Sequence, residues 1–149
     1  MLTDEIRVLV VDDSAVIRSI ISESIGATPG MKVVGTAGDG RRAMEMLDAV
    51  HPDVITLDIQ MPNMDGLETL DAILAKRPVP TIMVSSMTTL AARITMDALD
   101  RGAVDYLAKP DYGLKTKAAL LEELLRKIRW AAGIDVRRIL QIRQDRKQR

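Results

Sequence analysis

The chain has 149 residues, 47% of them hydrophobic, which is the size and composition of one domain built around one core. It contains no cysteine, so disulfide bonds and thiolate chemistry are excluded, and a reducing, cytoplasmic location is the expectation. We find no signal-peptide pattern and no apolar stretch long enough to cross a bilayer, so no membrane partner is expected.

Strand and helix patterns alternate along the chain. The predicted strands are residues 6–11, 31–36, 53–57, 81–85 and 104–107. The predicted helices are residues 14–26, 40–50, 67–76, 89–101 and 116–130. The first and third strands are nearly continuous apolar runs, which is typical of strands buried on both faces of a parallel sheet. With right-handed crossovers, the five units predict an α/β fold with helices on both faces of the sheet.

Acidic residues stand at the ends of two predicted strands. Asp12 and Asp13 follow the first strand, and Asp58 follows the third. Parallel strands gather their carboxyl ends along one edge of the sheet, so these carboxylates should converge. Converging carboxylates repel one another unless a cation lies among them, and oxygen ligands suit Mg²⁺. The pattern therefore indicates a site for phosphoryl chemistry.

Four short motifs at strand ends carry a more specific signal. They are LVVDDSA (9–15), LDIQMPNMDGL (57–67), VSS (84–86) and LAKP (107–110). Together they resemble the response-regulator receiver domain of two-component signalling, over about residues 5–130. The stretches TLDIQMPNMDGL, MVSSMT and RGAVDYLAKP are most similar to the receiver half of the chemotaxis protein-glutamate methylesterases (CheB). The resemblance implies a flavodoxin-like, doubly wound sheet of five parallel strands in the order 2-1-3-4-5, with five helices.

The resemblance also implies a role for each residue at this edge. Asp58 would be the phosphoacceptor, because a strand-end carboxylate can attack phosphorus in line and form an aspartyl-phosphate. Ser85 and Lys109 would contact the phosphoryl oxygens, Lys109 as a point charge. The Mg²⁺ ligands would be Asp13 directly, Asp12 largely through water, Asp58, and the main-chain carbonyl of Gln60.

Tyr106 occupies the position of the switching aromatic in receivers. Phosphate would draw Ser85 inward, the loop after the fourth strand would move, and Tyr106 would fill the vacated space. The face made by the fourth helix, fifth strand and fifth helix would then change its affinity for an effector domain or output protein. The phosphoryl donor would be a partner sensor histidine kinase, and a phosphorylation-dependent homodimer is a further candidate state. The alternative for Tyr106 is a half-buried packing residue.

Other functions remain as alternatives. A haloacid-dehalogenase-type phosphatase also uses a strand-end aspartate with Mg²⁺, but it carries a second aspartate two residues later, where this chain has Gln60. Methylesterase activity is not expected, because the chain lacks a G-x-S-x-G motif and its one histidine, His51, is unsuitably placed. Only self-phosphorylation and autodephosphorylation are expected. The chain would be either a fragment without its effector domain or a stand-alone single-domain regulator.

Residues 131–149 are expected to form a basic C-terminal tail or linker with some helical spacing. From residue 133 onward, six Arg and Lys residues stand against two Asp residues, a net charge of +4. A solvated linker or helix extension is the preferred interpretation. Nucleic acid is the less favoured alternative and concerns this tail only, because a stretch this short cannot supply the packed helices of a helix-turn-helix module.

Overall fold

A computed structural model describes residues 5–61, 63–86, 88–109 and 117–147 of the chain. Its strands are β1 (Ile6–Val11), β2 (Met31–Ala37), β3 (Val54–Asp58), β4 (Thr81–Ser85) and β5 (Asp105–Ala108). All neighbouring strands pair in parallel, in the order β2-β1-β3-β4-β5. The predicted fold class and strand order are therefore confirmed.

The helices follow the strands in turn. They are α1 (Ala15–Gly26), α2 (Gly40–Val50), α3 (Gly66–Lys76), α4 (Thr89–Arg101), α5 (Lys117–Ala131) and α6 (Val136–Lys147). The first four begin at an N-cap side chain that accepts a hydrogen bond from a backbone N–H three residues later; these caps are Ser14, Asp39, Asp65 and Thr88. Such caps satisfy N–H groups that have no partner inside the helix.

Three strands differ from their predicted bounds by one residue: the second ends at Ala37 instead of residue 36, and the third and fifth are each shifted by one residue. The third strand was predicted to end before Asp58, but Asp58 pairs in register with Val84 and is the last residue of β3. The fifth strand was predicted at 104–107 and lies at Asp105–Ala108. Both shifts follow from the parallel register with β4, which local apolar pattern does not encode. The predicted start of the fifth helix, Thr116, and the Pro110 of the LAKP motif lie outside the described residues.

The core is divided between the two faces of the sheet. Side chains alternate along a strand, so β1 contributes to both halves. Leu9 and Val11 pack with residues of α2, α3 and α4, whereas Val8 and Val10 pack with residues of α1 and α5. All four side chains are almost completely buried. This double cover holds the strands in a rigid row and fixes where their carboxyl ends lie.

The tail region contains a sixth helix where five were predicted, and α6 rests on the domain. Val136 at its start is 3% exposed. The Arg143 Nη1 atom lies 3.4 Å from the Leu99 carbonyl oxygen and 3.3 Å from that of Asp100, in the last turn of α4. A cation is favourable at the carbonyl end of a helix. Part of the basic charge of the tail therefore lies against α4.

None of the helices in the described part of the chain is both long enough and apolar enough to cross a membrane.

Candidate functional site

The carboxyl ends of β1, β3, β4 and β5 bring the predicted site residues to one edge of the sheet. Oxygen atoms of Asp12, Asp13 and Asp58 all lie within 4.8 Å of one another. Asp12 and Asp58 are buried, at 1% and 3% exposure, while Asp13 is exposed. The predicted convergence of the three carboxylates is what the structure shows.

Backbone and side-chain contacts hold the Asp12 turn in place. The Asp12 N–H donates to the Ala37 carbonyl at 3.0 Å, which extends the pairing of β1 with β2. Its Oδ1 atom accepts from the Ser14 N–H at 2.9 Å. The Arg18 Nη1 atom donates to the Asp12 carbonyl oxygen at 2.6 Å. Arg18 had not been predicted as part of the site, although an arginine one turn into the helix after an Asp-Asp pair could have suggested this contact.

Asp58 is held by the close approach of α3. Its Oδ1 atom accepts from the Gln60 N–H at 3.3 Å. A Cβ atom at Gly66 would lie 2.6 Å from the Asp58 carbonyl oxygen and 2.7 Å from the Ile59 Cα. Such distances are too short for any side chain, so glycine at the first position of α3 is what lets that helix begin against the end of β3.

Lys109 lies between the two buried carboxylates. Its N–H donates to the Ser85 carbonyl at 2.6 Å, which fixes the backbone after β5. Its Nζ atom is 3.2 Å from Oδ2 of Asp12 and 3.2 Å from Oδ2 of Asp58. Burial alone would lower the Lys109 pKa, but the negative charges of Asp58 and Asp12 outweigh burial and raise the pKa above its usual value.

One ammonium group does not balance this acidic cluster. The pKa of Asp58 is raised to about 7, mainly by burial. The charge of Asp12 and a hydrogen bond with the Asp13 side chain also raise this pKa, whereas Lys109 lowers it. Among the described residues, Oδ2 of Asp12 and Oδ2 of Asp58 are buried without an aligned hydrogen bond, so Lys109 contributes charge rather than directional bonding. Buried oxygens left in this state, in an all-oxygen cluster, fit a hard divalent cation.

Of the two serines at the end of β4, Ser86 borders both the acidic cleft and a neighbouring cavity, whereas Ser85 borders only the second. A cleft of about 130 Å³ beside the acidic cluster is lined by Asp13, Asp58, Ile59, Gln60, Ser86, Ala91 and Lys109. Ser85 is 5% exposed and instead lines a neighbouring cavity with Tyr106. Thr88 caps α4, and Ser86 borders the cleft.

Comparison with known proteins identifies this arrangement. The family model of the response regulator receiver domain matches residues 8–120 of this sequence. The chain belongs to the receiver domain family. A solved relative, the response regulator domain of Thermotoga maritima CheB, is 48% identical and superposes with a TM-score of 0.80 over 88% of this chain and 98% of its own. The receiver domain of a putative NarL from Mycobacterium tuberculosis is 29% identical, with a TM-score of 0.71 over 85% of this chain and 98% of its own.

Full-length relatives extend well beyond the shared region. The receiver is 47% identical over 135 residues to a protein-glutamate methylesterase/protein-glutamine glutaminase 1 of Dechloromonas aromatica, covering 90% of this chain and 39% of that protein. It is 49% identical over 136 residues to a Thermotoga maritima protein of the same description, covering 91% and 40%. The chain thus spans about 40% of the length of these curated relatives. The predicted likeness to CheB receivers is confirmed.

Tyr106 of the receiver lies on β5, outside the acidic cleft. Tyr106 is 46% exposed, so this residue is partly accessible to solvent. A cavity of about 240 Å³ beside it is lined by Ser85, Ser86, Thr88, Ala92, Thr95, Met96, Tyr106 and Ala108. This volume is several times the share of one water molecule, roughly 30 Å³. The cavity leads from the ring toward the end of β4.

Proposed function

We propose that the receiver is a phosphoacceptor switch in which Asp58 takes a phosphoryl group from a partner sensor histidine kinase. The observation that carries the proposal is the arrangement around Asp58: a buried strand-end carboxylate beside two further carboxylates and a lysine, at the bottom of an open cleft. An ordinary helix cap or surface acid would not need this surrounding charge. Ser86 and Gln60 border the same cleft and would limit access of water to the phosphoryl group.

Each residue has a part in the transfer. A carboxylate oxygen of Asp58 forms the new O–P bond while the P–N bond of the donor phosphohistidine breaks, and the released imidazole takes up a proton. Lys109, which already contacts Asp58, stabilises negative charge on the phosphoryl oxygens. Asp12, Asp13, Asp58 and the Gln60 carbonyl would hold Mg²⁺, and the ion supplies neutralising positive charge when bound.

The signal would leave the site through β4 and β5. Ser85 would turn toward the phosphoryl group, and Tyr106 would enter the cavity that Ser85 borders. This change would alter the surface formed by α4, β5 and α5, where Leu90, Met96 and Tyr106 are exposed at 58%, 59% and 46%. Because the full-length relatives are named as methylesterases, we propose a methylesterase domain as the effector under this control.

Uptake of phosphate from a small donor tests the proposal. The chain is incubated with acetyl phosphate and Mg²⁺, and its intact mass is followed. The function is supported if wild type gains the mass of one phosphoryl group and Asp58→Asn does not. The control variant Asp100→Asn, at an exposed position of α4, should gain the same mass as wild type. A gain that persists in Asp58→Asn rejects Asp58 as the acceptor.

The phosphatase alternative makes a different prediction. Steady multiple turnover of p-nitrophenyl phosphate would favour it over a switch. The position two residues after Asp58 holds Gln60, whose side chain cannot donate a proton as a general acid, so we expect no such turnover.

A further inference from the structure

The side chain of Lys127 lies over the ring of Tyr106. Its Nζ atom lies 5.1 Å from the centroid of the Tyr106 ring, within the range of a cation–π interaction. The same ammonium donates a hydrogen bond to the Tyr106 carbonyl oxygen. Lys127 therefore holds both the backbone and the ring of this residue.

Lys127 is itself held in position. Its Nζ atom is 3.5 Å from Oδ1 of Asp105 on β5 and 3.7 Å from Oε1 of Glu123, one turn earlier on α5. The lysine side chain is only 19% exposed, so its ammonium group lies partly desolvated against the tyrosine. A charge fixed in this way interacts more strongly with a ring than a freely solvated lysine does.

The cavity of about 240 Å³ beside Tyr106 is lined by Ala92, Thr95 and Met96 of α4, whereas Lys127 belongs to α5. The ring thus has two neighbouring environments: one against Lys127 on α5, and one in the cavity beside α4. Only the outward arrangement keeps the ring beside the ammonium. Any free energy from that contact must be lost when the ring moves inward, so the contact opposes the switch.

We propose that Lys127 is a positioning residue that restrains the receiver in its resting state by binding the outward ring of Tyr106. The proposal rests on the switch function of Asp58 described above, and it adds the residue that sets how readily that switch responds. Because coupling between two sites is reciprocal, removing the restraint should increase the affinity of the acidic site for a phosphoryl mimic.

Beryllofluoride with Mg²⁺ is the probe, and its affinity is measured by calorimetry. Lys127→Met, which keeps a long apolar side chain, should bind it at least about two- to fivefold more tightly than wild type, which is the lower part of the range for a cation–π contact. Lys127→Arg retains the cation and should restore wild-type affinity. Arg126→Met removes one charge from the adjacent exposed position of α5 and should leave the affinity unchanged.

A second background separates the ring contact from a general effect of charge. In Tyr106→Leu, adding Lys127→Met should produce no further change in affinity, because the ring is gone. The same increase in both backgrounds, or none in the wild-type background, overturns the proposal.

The resting state can be observed without any ligand. In protein labelled with 3-fluorotyrosine, the ¹⁹F signal assigned by its loss in Tyr106→Phe should shift in Lys127→Met toward its position in the beryllofluoride complex. An unshifted signal counts against Lys127. Failure of wild type to bind beryllofluoride at all would instead reject the proposed function, so the two failures are distinguishable.

Discussion

Replacing Asp58 with asparagine should make the folded receiver more stable at pH 8 in the presence of a chelator. The wild-type carboxylate is 3% exposed and lies beside Asp12, so its ionised form is unfavourable in the folded state. Asparagine removes that charge with little change in shape. Lys109 keeps Asp12 as its partner in the variant, so no unpaired ammonium is created.

The size of the effect follows from the Asp58 pKa, which rises from 3.8 to about 7 on folding. At about 1.36 kcal/mol per pK unit, this difference in pKa sets an upper limit of about 4 kcal/mol on the gain in unfolding free energy of the variant. Relaxation and water penetration make the effective dielectric constant of real sites higher than that of a dry interior. We therefore expect the variant to be more stable than wild type by about 2 kcal/mol. For a chain of this size, that corresponds to a rise of roughly 4–8 °C in Tm.

The pH dependence has a definite sign. A raised acid pKa means that the folded state binds the proton more tightly than the unfolded state does. The stabilising contribution of the protonated Asp58 carboxyl in wild type is therefore fully present below about pH 4, and it is lost as the pH rises through about 7. The gap between Asp58→Asn and wild type should be near zero at pH 4 and reach its full size at pH 8.

Urea unfolding with EDTA across this pH range measures the gap. Saturating Mg²⁺ should narrow the stability difference between Asp58→Asn and wild type. A ligand at one hundred times its Kd adds about 2.7 kcal/mol to the unfolding free energy of the protein that binds it. A variant that is less stable than wild type at pH 8 in EDTA, or a gap that does not change with pH, would refute the electrostatic reasoning.

Two further pairs of substitutions test the surroundings of the site and the docking of α6. Gly66→Ala should lower stability and slow phosphoryl uptake, because a Cβ there lies 2.6 Å from the Asp58 carbonyl oxygen, whereas Gly26→Ala has nothing within 4 Å and should be neutral or stabilising. Circular dichroism melts and uptake from acetyl phosphate measure both, and equal effects at the two glycines would contradict the packing argument. Val136→Ala should cost about 1–2 kcal/mol of unfolding free energy, because the side chain is 3% exposed. Ile139→Ala, at 37% exposure, should change it by less than about 0.5 kcal/mol, and similar losses for both would mean that α6 does not pack as described.

The sequence was sufficient for the architecture because its local signals agree with the global fold. The apolar run of β1 is buried on both faces, as its lack of alternation indicated. Caps such as Ser14 and Thr88 stand at helix starts, where short polar side chains favour them. Strand-end placement of Asp12 and Asp58 followed directly from those boundaries.

What could not be predicted depends on contacts between residues distant in the chain. The docking of Arg143 on the last turn of α4 joins positions more than forty residues apart, and nothing in the basic composition of the tail indicates it. The contact between Lys127 and Tyr106 likewise requires α5 to cross β5 at a particular height. Ser85 and Ser86 are adjacent, so only the actual direction of each side chain shows which of them borders the cleft.

The identity of the phosphorylated residue is the most direct test of the function we propose. After incubation with acetyl phosphate and Mg²⁺, borohydride reduction converts an aspartyl-phosphate to homoserine, and peptide mass spectrometry locates the change. We predict conversion at Asp58, with Asp12 and Asp13 unmodified. Conversion at another residue, or none under conditions where Mg²⁺ raises the Tm of the wild-type chain, would contradict the assignment of Asp58 as the phosphoacceptor.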